Sequence, residues 1–209
     1  MTIFIDPPAR GLLVTIEGPN GAGKTSLATA VAARLEATGE PVHRTCQPSP
    51  SPLGDMVRAA ERDVHGRALA CLVAGDRHYQ CETEILPRLR DGATVLCDRY
   101  IESSLVLQRF DSVELDYILA INRGIPRPGL RIQLLAAPEV LSERLAQRTI
   151  TPERRFERVI GPARELELYA DANALLTERE QLPASLFDTT TTAADGLGAV
   201  VAELILSRR

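Results

Sequence analysis

The sequence predicts an α/β fold in which a five-stranded parallel sheet carries helices on both faces. Short apolar runs rich in β-branched residues, most clearly 12–17, 93–97 and 130–135, alternate with longer stretches typical of helices. The run at 12–17 leads directly into a glycine-rich loop and a helix at about 24–38, which Gly39 is expected to end. This arrangement is typical of a buried strand in a parallel sheet.

The remaining elements continue the alternation. Two further strands are predicted, at about 41–45 and 185–187. Helices are predicted at about 53–64, 67–90, 102–109, 113–122, 138–147, 156–178 and 193–207. Pro87 is expected to kink or break the helix at 67–90, because proline has no N–H to donate. Residues 1–10, with two prolines, are expected to form an extended arm.

The composition is that of a globular protein with a sizeable core. The 209 residues, 44% hydrophobic and 25% charged, suit one domain over 1–209. A net charge of −4 leaves no global basic surface, so nucleic acid is not an expected partner. No run approaches the ~20 apolar residues of a membrane span, and no signal peptide is recognisable. We therefore expect no membrane partner and a cytoplasmic location.

The four cysteines show neither a CxxC pair nor a metal-ligand spacing. Three of them lie in stretches predicted to be core. We therefore expect buried free thiols at Cys46, Cys71, Cys81 and Cys97.

The glycine-rich loop, residues 18–25, satisfies the pattern GxxxxGK[ST]. Between a strand and a helix, such a loop turns its N–H groups toward phosphates at the positive end of the helix. The sequence thus predicts a three-layer P-loop NTPase fold, with Lys24 at the β- and γ-phosphates and the Thr25 hydroxyl on Mg²⁺. A glycine-rich turn without a ligand is the alternative, and the flanking elements argue against it. The residues expected at the phosphates are Gly18, Asn20, Gly21, Ala22, Gly23, Lys24, Thr25 and Ser26.

Two charged residues follow the strand at 93–97. Asp98 stands where a P-loop protein places an acid near Mg²⁺ or the acceptor group, unless it caps the following helix. Arg99 suits bidentate binding of a phosphate at the same sheet edge. Arg77, in the preceding long helix, is a candidate for the same crevice or else a solvated residue. Gln47 and Pro48 begin a proline-rich loop that is expected to line the crevice.

Further arginines follow the strand at 130–135. Arg144 and Arg148 are spaced i, i+4 on one helix face, and Arg154 and Arg155 lie in a loop. Phosphoryl transfer requires neutralisation of the transferred group, which suits an arginine-bearing lid at 148–155 that also excludes water. The alternative is an ordinary charged helix end. The residues expected to act in catalysis are Lys24, Arg99, Arg148, Arg154 and Arg155.

Taken together and in this order, the motifs resemble those of the thymidylate kinase family over about residues 11–207. Several separated motifs in the right order are more specific than the P-loop alone. The matching pieces are Glu17-Gly18 with the P-loop, Gly75-Asp76-Arg77, Asp98-Arg99-Tyr100 with Ser103 and Gln108, Asn122, Pro126, Pro128, Pro138-Glu139, and Arg155-Phe156-Glu157 before Tyr169.

The resemblance implies transfer of the γ-phosphoryl group of ATP to a nucleoside 5′-monophosphate, with Mg²⁺, by a homodimer. It implies that Arg99 holds the acceptor phosphate and that Arg77 addresses the base. It places Arg144 beside the adenine of ATP and Glu157 near the acceptor sugar or its metal. The residues implied to line the acceptor site are Gln47, Pro48, Val73, Arg77, Arg99, Ser103, Ser104, Leu107, Gln108 and Glu157.

Three positions depart from the family pattern. Asn20 stands where members usually carry an acid, Val73 where an aromatic ring stacks on thymine, and Leu107 where a tyrosine crowds the sugar 2′ position. A lost ring stack costs about 0.5 to 1.5 kcal/mol, or up to roughly tenfold in affinity. The departures leave open whether the base is thymine or a modified pyrimidine.

Other functions stay open as well. A kinase of specialised metabolism on the same scaffold is one alternative, supported by the altered pocket. A nucleoside kinase is another, and it must deprotonate a sugar hydroxyl group. Gln47 cannot accept that proton, which favours a monophosphate acceptor, although Asp98 is a substitute base. A nucleotide-binding module without turnover is supported by Asn20 alone, whereas Lys24 and Arg99 argue for an enzyme.

Overall fold

The computed structural model describes residues 2–7, 10–147, 156 and 159–209, and it confirms the predicted α/β fold. Five parallel strands form one sheet, in the spatial order β3 (Val42–Cys46), β4 (Thr94–Asp98), β2 (Leu12–Glu17), β6 (Leu130–Leu135) and β7 (Ala184–Asp188). Because β2 lies between β4 and β6, its carboxyl end opens near the centre of one sheet edge.

Helices cover both faces of the sheet. They are α1 (Lys24–Ala37), α2 (Pro52–Ala60), α3 (Gly66–Gln80), α4 (Leu86–Arg90), α5 (Ile101–Phe110), α6 (Leu115–Ile121), α7 (Pro138–Ala146), α8 (Pro162–Glu180) and α9 (Gly198–Leu206). Within the described ranges, no helix combines the length and the apolar character needed to cross a membrane.

The core consists of two main apolar clusters, one on each face of the sheet. Successive side chains of a strand point to opposite faces. Leu13 of β2 accordingly packs with residues of α3, α5, α6 and α8, whereas Val14 and Ile16 pack with residues of α1, α7 and α9. The sheet is thereby the middle of three layers, as predicted.

The predicted interruption near Pro87 takes the form of a π-helical turn. Helix α3 passes into this turn, Cys81–Ile85, and then into α4, whose first turn contains Pro87. Proline cannot donate the usual backbone hydrogen bond, and a π turn absorbs the resulting shift in register. The chain therefore continues as a helix through this point.

The amino-terminal arm contributes to the core. Phe4–Ile5, which form β1, pair in parallel with Ile125–Pro126, which form β5. The side chains of Ile3 and Phe4 are buried, and the Ile3 N–H donates to Glu180 Oε1 at 3.2 Å. A two-residue strand has no periodicity to detect, so the sequence predicts only an extended segment here.

Candidate active site

The P-loop joins β2 to α1, as predicted. Gly18 and Gly23 have φ angles of 135° and 92°, in the region that favours glycine. A Cβ atom on Gly18 would lie 2.4 Å from the Leu134 carbonyl oxygen, and one on Gly23 would lie 2.5 Å from the Ala194 Cβ atom. Backbone conformation and close packing therefore both require glycine at these positions.

Lys24, the first residue of α1, folds back over this loop. Its Nζ donates to the carbonyl oxygens of Gly18 at 2.8 Å and Pro19 at 2.9 Å. Burial and the nearby Arg99 lower the pKa of Lys24 to about 8. Because anionic oxygens are stronger acceptors than carbonyl groups, this ammonium group is well placed for a phosphate.

Thr25 and Asp98 meet at the mouth of the P-loop. Thr25 Oγ1 donates to Asp98 Oδ2 at 2.6 Å. The N-cap of α5 is Tyr100, so the alternative role of Asp98 as that helix's cap is wrong. A hydroxyl and a carboxylate are hard oxygen ligands that fit Mg²⁺, which usually completes its shell with phosphates and waters. In the described part of the chain, no three His, Cys, Asp or Glu residues group as a metal site.

These groups line the larger of two connected cavities, which we call the main cleft. It contains about 1510 Å³ of empty space at the carboxyl edge of the sheet. The described lining carries four cationic side chains and one carboxylate, which suits a polyanionic ligand. The charged residues are Lys24, Arg44, Arg58, Arg99 and Asp98.

The second cavity, which we call the side pocket, contains about 630 Å³ of empty space. The residues shared with the main cleft are Asn20, Gln47, Pro48 and Arg99. Its apolar lining consists of Val57, Leu69, Val73, Leu107 and Phe156. Its other polar lining residues are Glu61, Asp76, Arg77, Ser103, Ser104 and Gln108.

Arg99 lies where the two cavities meet. Its backbone φ of 72° is unusual for a non-glycine residue, as is often found at functional sites. Nη1 donates to Ser103 Oγ and Tyr169 Oη, both at 3.1 Å, and Nη2 donates to Asn20 Oδ1 at 2.6 Å. Burial opposes the charge, but Tyr169, Asp98 and Glu165 together raise the pKa of Arg99 above its usual value. The guanidinium group is a permanent cation between the cavities.

Glu17 lies behind Arg99 and is fully buried. It accepts hydrogen bonds from the Tyr100 N–H, from the Ser103 N–H at 3.3 Å and from Ser103 Oγ at 2.8 Å. Burial and the neighbouring Glu102 raise the pKa of Glu17 to about 7. Tyr169 Oη also donates to Glu17, at 3.4 Å. The Ser103 and Tyr169 hydroxyls thus connect this carboxyl group to Arg99.

Arg77 forms the floor of the side pocket and is 1% exposed. Nε donates to Gln47 Oε1 at 2.8 Å, and Nη1 donates to Asn122 Oδ1. Nη2 donates to the Tyr100 carbonyl oxygen at 3.0 Å and to Ser104 Oγ at 2.8 Å. Among the residues that the structure describes, no carboxylate forms an ion pair with it, and burial lowers its pKa. The interpretation of Arg77 as a solvated helix residue is therefore wrong.

Gln47 is committed to holding Arg77 in place. Its Oε1 accepts from Arg77, and its Nε2 donates to Gln80 Oε1 at 3.1 Å. An amide has no basic atom, so this side chain orients the pocket floor and takes no proton.

The side pocket is also lined by the other predicted acceptor residues whose positions are described, namely Val73, Ser103, Ser104, Leu107 and Gln108. Ser26 lines the main cleft. Arg144 contacts the P-loop, with Nη1 3.5 Å from the Gly21 carbonyl oxygen, and Nη2 donates to the Thr189 carbonyl oxygen at 2.6 Å. The predicted lid at 148–155, with Arg148, Arg154 and Arg155, lies outside the described residues, as does Glu157.

Several residues of the site had no sequence prediction attached to them. Arg44 and Arg58 line the main cleft, and Glu165 contacts Asn20. Glu165 and Tyr169 are spaced i, i+4, which indicates only that they share a helix face. Their position against the P-loop depends on how α8 packs, which no local pattern reveals.

The prediction of buried cysteines is wrong for two of the four. Cys81 and Cys97 are buried, whereas Cys46 and Cys71 are exposed, and no disulfide joins any of the four. Cys46 is the last residue of β3, at the carboxyl edge of the sheet, and lines the main cleft. Cys71 is an exposed residue of α3. Apolar runs do not distinguish an element's centre from its exposed end or face.

A P-loop with its lysine, a threonine–aspartate pair and a second pocket joined at a buried arginine together define a P-loop kinase. A sequence model described as thymidylate kinase matches residues 16–178. The chain belongs to the thymidylate kinase family of nucleoside monophosphate kinases.

Individual relatives agree with this assignment. A probable thymidylate kinase from Pyrobaculum calidifontis is 37% identical over 142 residues, 66% of this chain and 70% of the relative. A thymidylate kinase from Xanthomonas oryzae pv. oryzae is 36% identical over 154 residues, 73% of this chain and 67% of the relative. A solved thymidylate kinase structure from Candida albicans has a TM-score of 0.76 at 19% identity, covering 95% of this chain and 92% of that one, and supports the fold.

Proposed function

We propose that this enzyme transfers the γ-phosphoryl group of ATP to a pyrimidine nucleoside 5′-monophosphate of the dTMP type. The observation that carries the proposal is the position of Arg99 between the main cleft and the side pocket. A phosphate held there would face the P-loop, with its nucleoside in the side pocket. The relatives named thymidylate kinase support dTMP as the acceptor.

The P-loop, Lys24 and Arg144 would hold ATP in the main cleft. Thr25 and Asp98 would hold Mg²⁺, which when bound neutralises charge on the phosphates. The residues of the lid, Arg148, Arg154 and Arg155, are proposed to cover the transferring group and to exclude water. Catalysis then rests on positioning and charge stabilisation.

The acceptor needs no general base, because a monophosphate is largely a dianion near neutral pH. Arg99 would bind this phosphate, and the commitment of Gln47 to Arg77 agrees with an acceptor that gives up no hydroxyl proton. Gln108 Oε1 is buried in the described structure without a hydrogen-bond partner, and Gln108 lines the side pocket. We propose that it accepts a hydrogen bond from the base, beside Arg77.

The test is a coupled assay of ADP release with ATP and Mg²⁺. The acceptors are dTMP, dUMP, UMP, CMP, their 5-substituted forms and the free nucleosides. We expect turnover with pyrimidine monophosphates, dTMP foremost, and none with nucleosides. The Lys24→Ala variant is the control for coupling artefacts. Preference for a nucleoside would overturn the acceptor assignment, and ATP binding without ADP release would overturn the catalytic one.

The family also supports a single-domain, cytoplasmic enzyme that works as a homodimer. A candidate contact face is the outer side of α3, where Ala68, Cys71, Gly75 and Tyr79 are exposed. Tyr79 is 44% exposed, and a Cβ atom added to Gly75 would meet open space. Sedimentation of the wild type and of Gly75→Arg tests this: the variant should be monomeric, and an unchanged dimer would exclude this face.

A further inference from the structure

Glu165, in the first turn of α8, is 2% exposed and places both carboxylate oxygens on one residue of the P-loop. Oε2 accepts from the Asn20 N–H at 3.0 Å, and Oε1 accepts from Asn20 Nδ2 at 3.1 Å. The carboxylate therefore fixes the main chain and the side chain of Asn20 at once.

This contact determines which way the Asn20 amide points. Nδ2 can only donate and Oδ1 can only accept, so the donor end faces Glu165 and the oxygen faces Arg99. The Asn20 Oδ1 atom is 2.6 Å from Arg99 Nη2. A reversed amide would set an NH₂ group against the guanidinium and an oxygen against the carboxylate.

The same helix supplies a second support for Arg99. Tyr169, one turn beyond Glu165, accepts from Arg99 Nη1 at 3.1 Å. Within the described ranges, the guanidinium donates three hydrogen bonds, all to uncharged oxygens, of Asn20, Ser103 and Tyr169. Glu165 is thus connected to Arg99 through Asn20, and no carboxylate oxygen of the described residues takes the place of a ligand on the guanidinium group.

We propose that Glu165 is a positioning residue for phosphoryl transfer: acting through Asn20, it holds Arg99 in the orientation that binds the acceptor phosphate. This rests on the proposed function, in which Arg99 holds that phosphate. Glu165 lines neither the main cleft nor the side pocket, so its effect is indirect.

A four-member cycle of variants tests the direction of the hydrogen bonds. Glu165→Gln alone sets two amide NH₂ groups against each other or reverses Asn20. Asn20→Asp alone sets two carboxylates against each other. In the double variant Asn20→Asp/Glu165→Gln, the glutamine accepts from the residue-20 N–H and donates to the new carboxylate. An acceptor oxygen then faces Arg99 again, with nearly unchanged shape.

We expect each single variant to raise the KM of the nucleoside monophosphate or to lower kcat, by roughly 5- to 100-fold in kcat/KM. The double variant should recover to within about threefold of the wild type, because its hydrogen bonds are again matched. The KM of ATP should change little. Glu167→Gln is the matched control: this exposed residue of α8 pairs with Arg164, and its loss should leave the kinetics unchanged.

Thermal unfolding of every variant separates positioning from folding. Single variants that lose stability but keep wild-type kcat and KM would show a structural role only and refute the inference. A double variant as impaired as the product of the two single effects would also refute it. If the wild type phosphorylates no monophosphate, the proposed function fails as well; if it does, an additive cycle refutes this inference alone.

Discussion

Two arginines are equally buried in this enzyme but are stabilised in opposite ways. Arg131 of β6 is 1% exposed and forms an ion pair with Glu102, with Nε 2.5 Å from Oε1. Arg77 is also 1% exposed, yet its hydrogen bonds end on neutral oxygens. Burial of an uncompensated cation is costly. Arg131 is thus neutralised inside the core, whereas Arg77 has no counter-charge among the residues that the structure describes.

Arg99 follows the pattern of Arg77. Neutral oxygens contact its guanidinium, and the carboxyl groups of Glu17 and Glu165 lie one hydrogen bond further back. The Glu165 carboxylate, placed behind the arginine, supports its charge without occupying the position that we propose for a phosphate. The difference from Arg131 indicates how this fold separates a structural arginine from one that we propose to bind substrate.

The largest expected effect is a difference in stability loss between variants of Arg131 and Arg77. Arg131→Met leaves Glu102 buried without a counter-charge and should lower the free energy of unfolding by about 3 to 5 kcal/mol. Arg77→Met leaves only neutral acceptors unpaired and should cost about 1 to 3 kcal/mol. Urea unfolding measures both values. The double variant Arg131→Met/Glu102→Gln should recover much of the stability that Arg131→Met loses. Equal losses for the two single variants would contradict the proposed difference between Arg131 and Arg77.

The next effect concerns catalysis. Arg99→Lys keeps the charge but removes the planar fork that Asn20, Ser103 and Tyr169 hold. Loss of two charge-assisted hydrogen bonds should lower kcat/KM for the acceptor by about 10²- to 10³-fold. Steady-state kinetics with varied acceptor measures this, and the KM of ATP serves as the internal control. A loss below tenfold would mean that charge alone, without geometry, is sufficient.

A third effect tests the carboxyl group behind Arg99. Burial and Glu102 raise the pKa of Glu17 from 4.5 to about 7, so the folded state keeps a proton that the unfolded state has released. The unfolding free energy of the wild type, relative to Glu17→Gln, should therefore fall by about 3 kcal/mol as pH rises from about 4.5 to 7. Lys24, whose pKa is about 8, titrates mainly above this window.

Urea unfolding of both proteins at pH 5, 6 and 7 measures the difference. Groups other than Glu17 cancel in the subtraction, provided that the substitution leaves their surroundings intact. A difference that stays constant with pH would show that Glu17 is already ionised when folded, with its charge compensated by Arg99 and Lys24.

The sequence predicts the parts of this site that depend on local pattern. Residues Lys24, Asp98 and Arg99 lie directly after strands or in a loop of fixed spacing, so their meeting at one sheet edge follows from the parallel topology. The contact of Glu165 with Asn20 joins residues 145 positions apart and depends on the rotation and packing of α8. Hydrophobic periodicity gives a helix face but not the partner that it meets. For the same reason, the sequence does not predict the neutral oxygens that accept hydrogen bonds from Arg77.

The smallest expected effect comes from the apolar wall of the side pocket. Phe156 is the aromatic residue of the described lining and packs against Leu69 and Ile160. Its ring supplies the kind of surface that the aliphatic Val73 lacks. Phe156→Leu should raise the KM of the nucleotide acceptor by up to roughly tenfold, the value of about 0.5 to 1.5 kcal/mol for a ring contact. Phe187→Leu, in the cluster on the other face of the sheet, removes equivalent atoms away from the pocket and should leave KM unchanged.

Because Arg77 presents a charge and Phe156 only a surface, Arg77→Met should raise KM more than Phe156→Leu. The opposite order would mean that the acceptor is held mainly by its apolar face, and that the uncompensated charge of Arg77 has little part in binding.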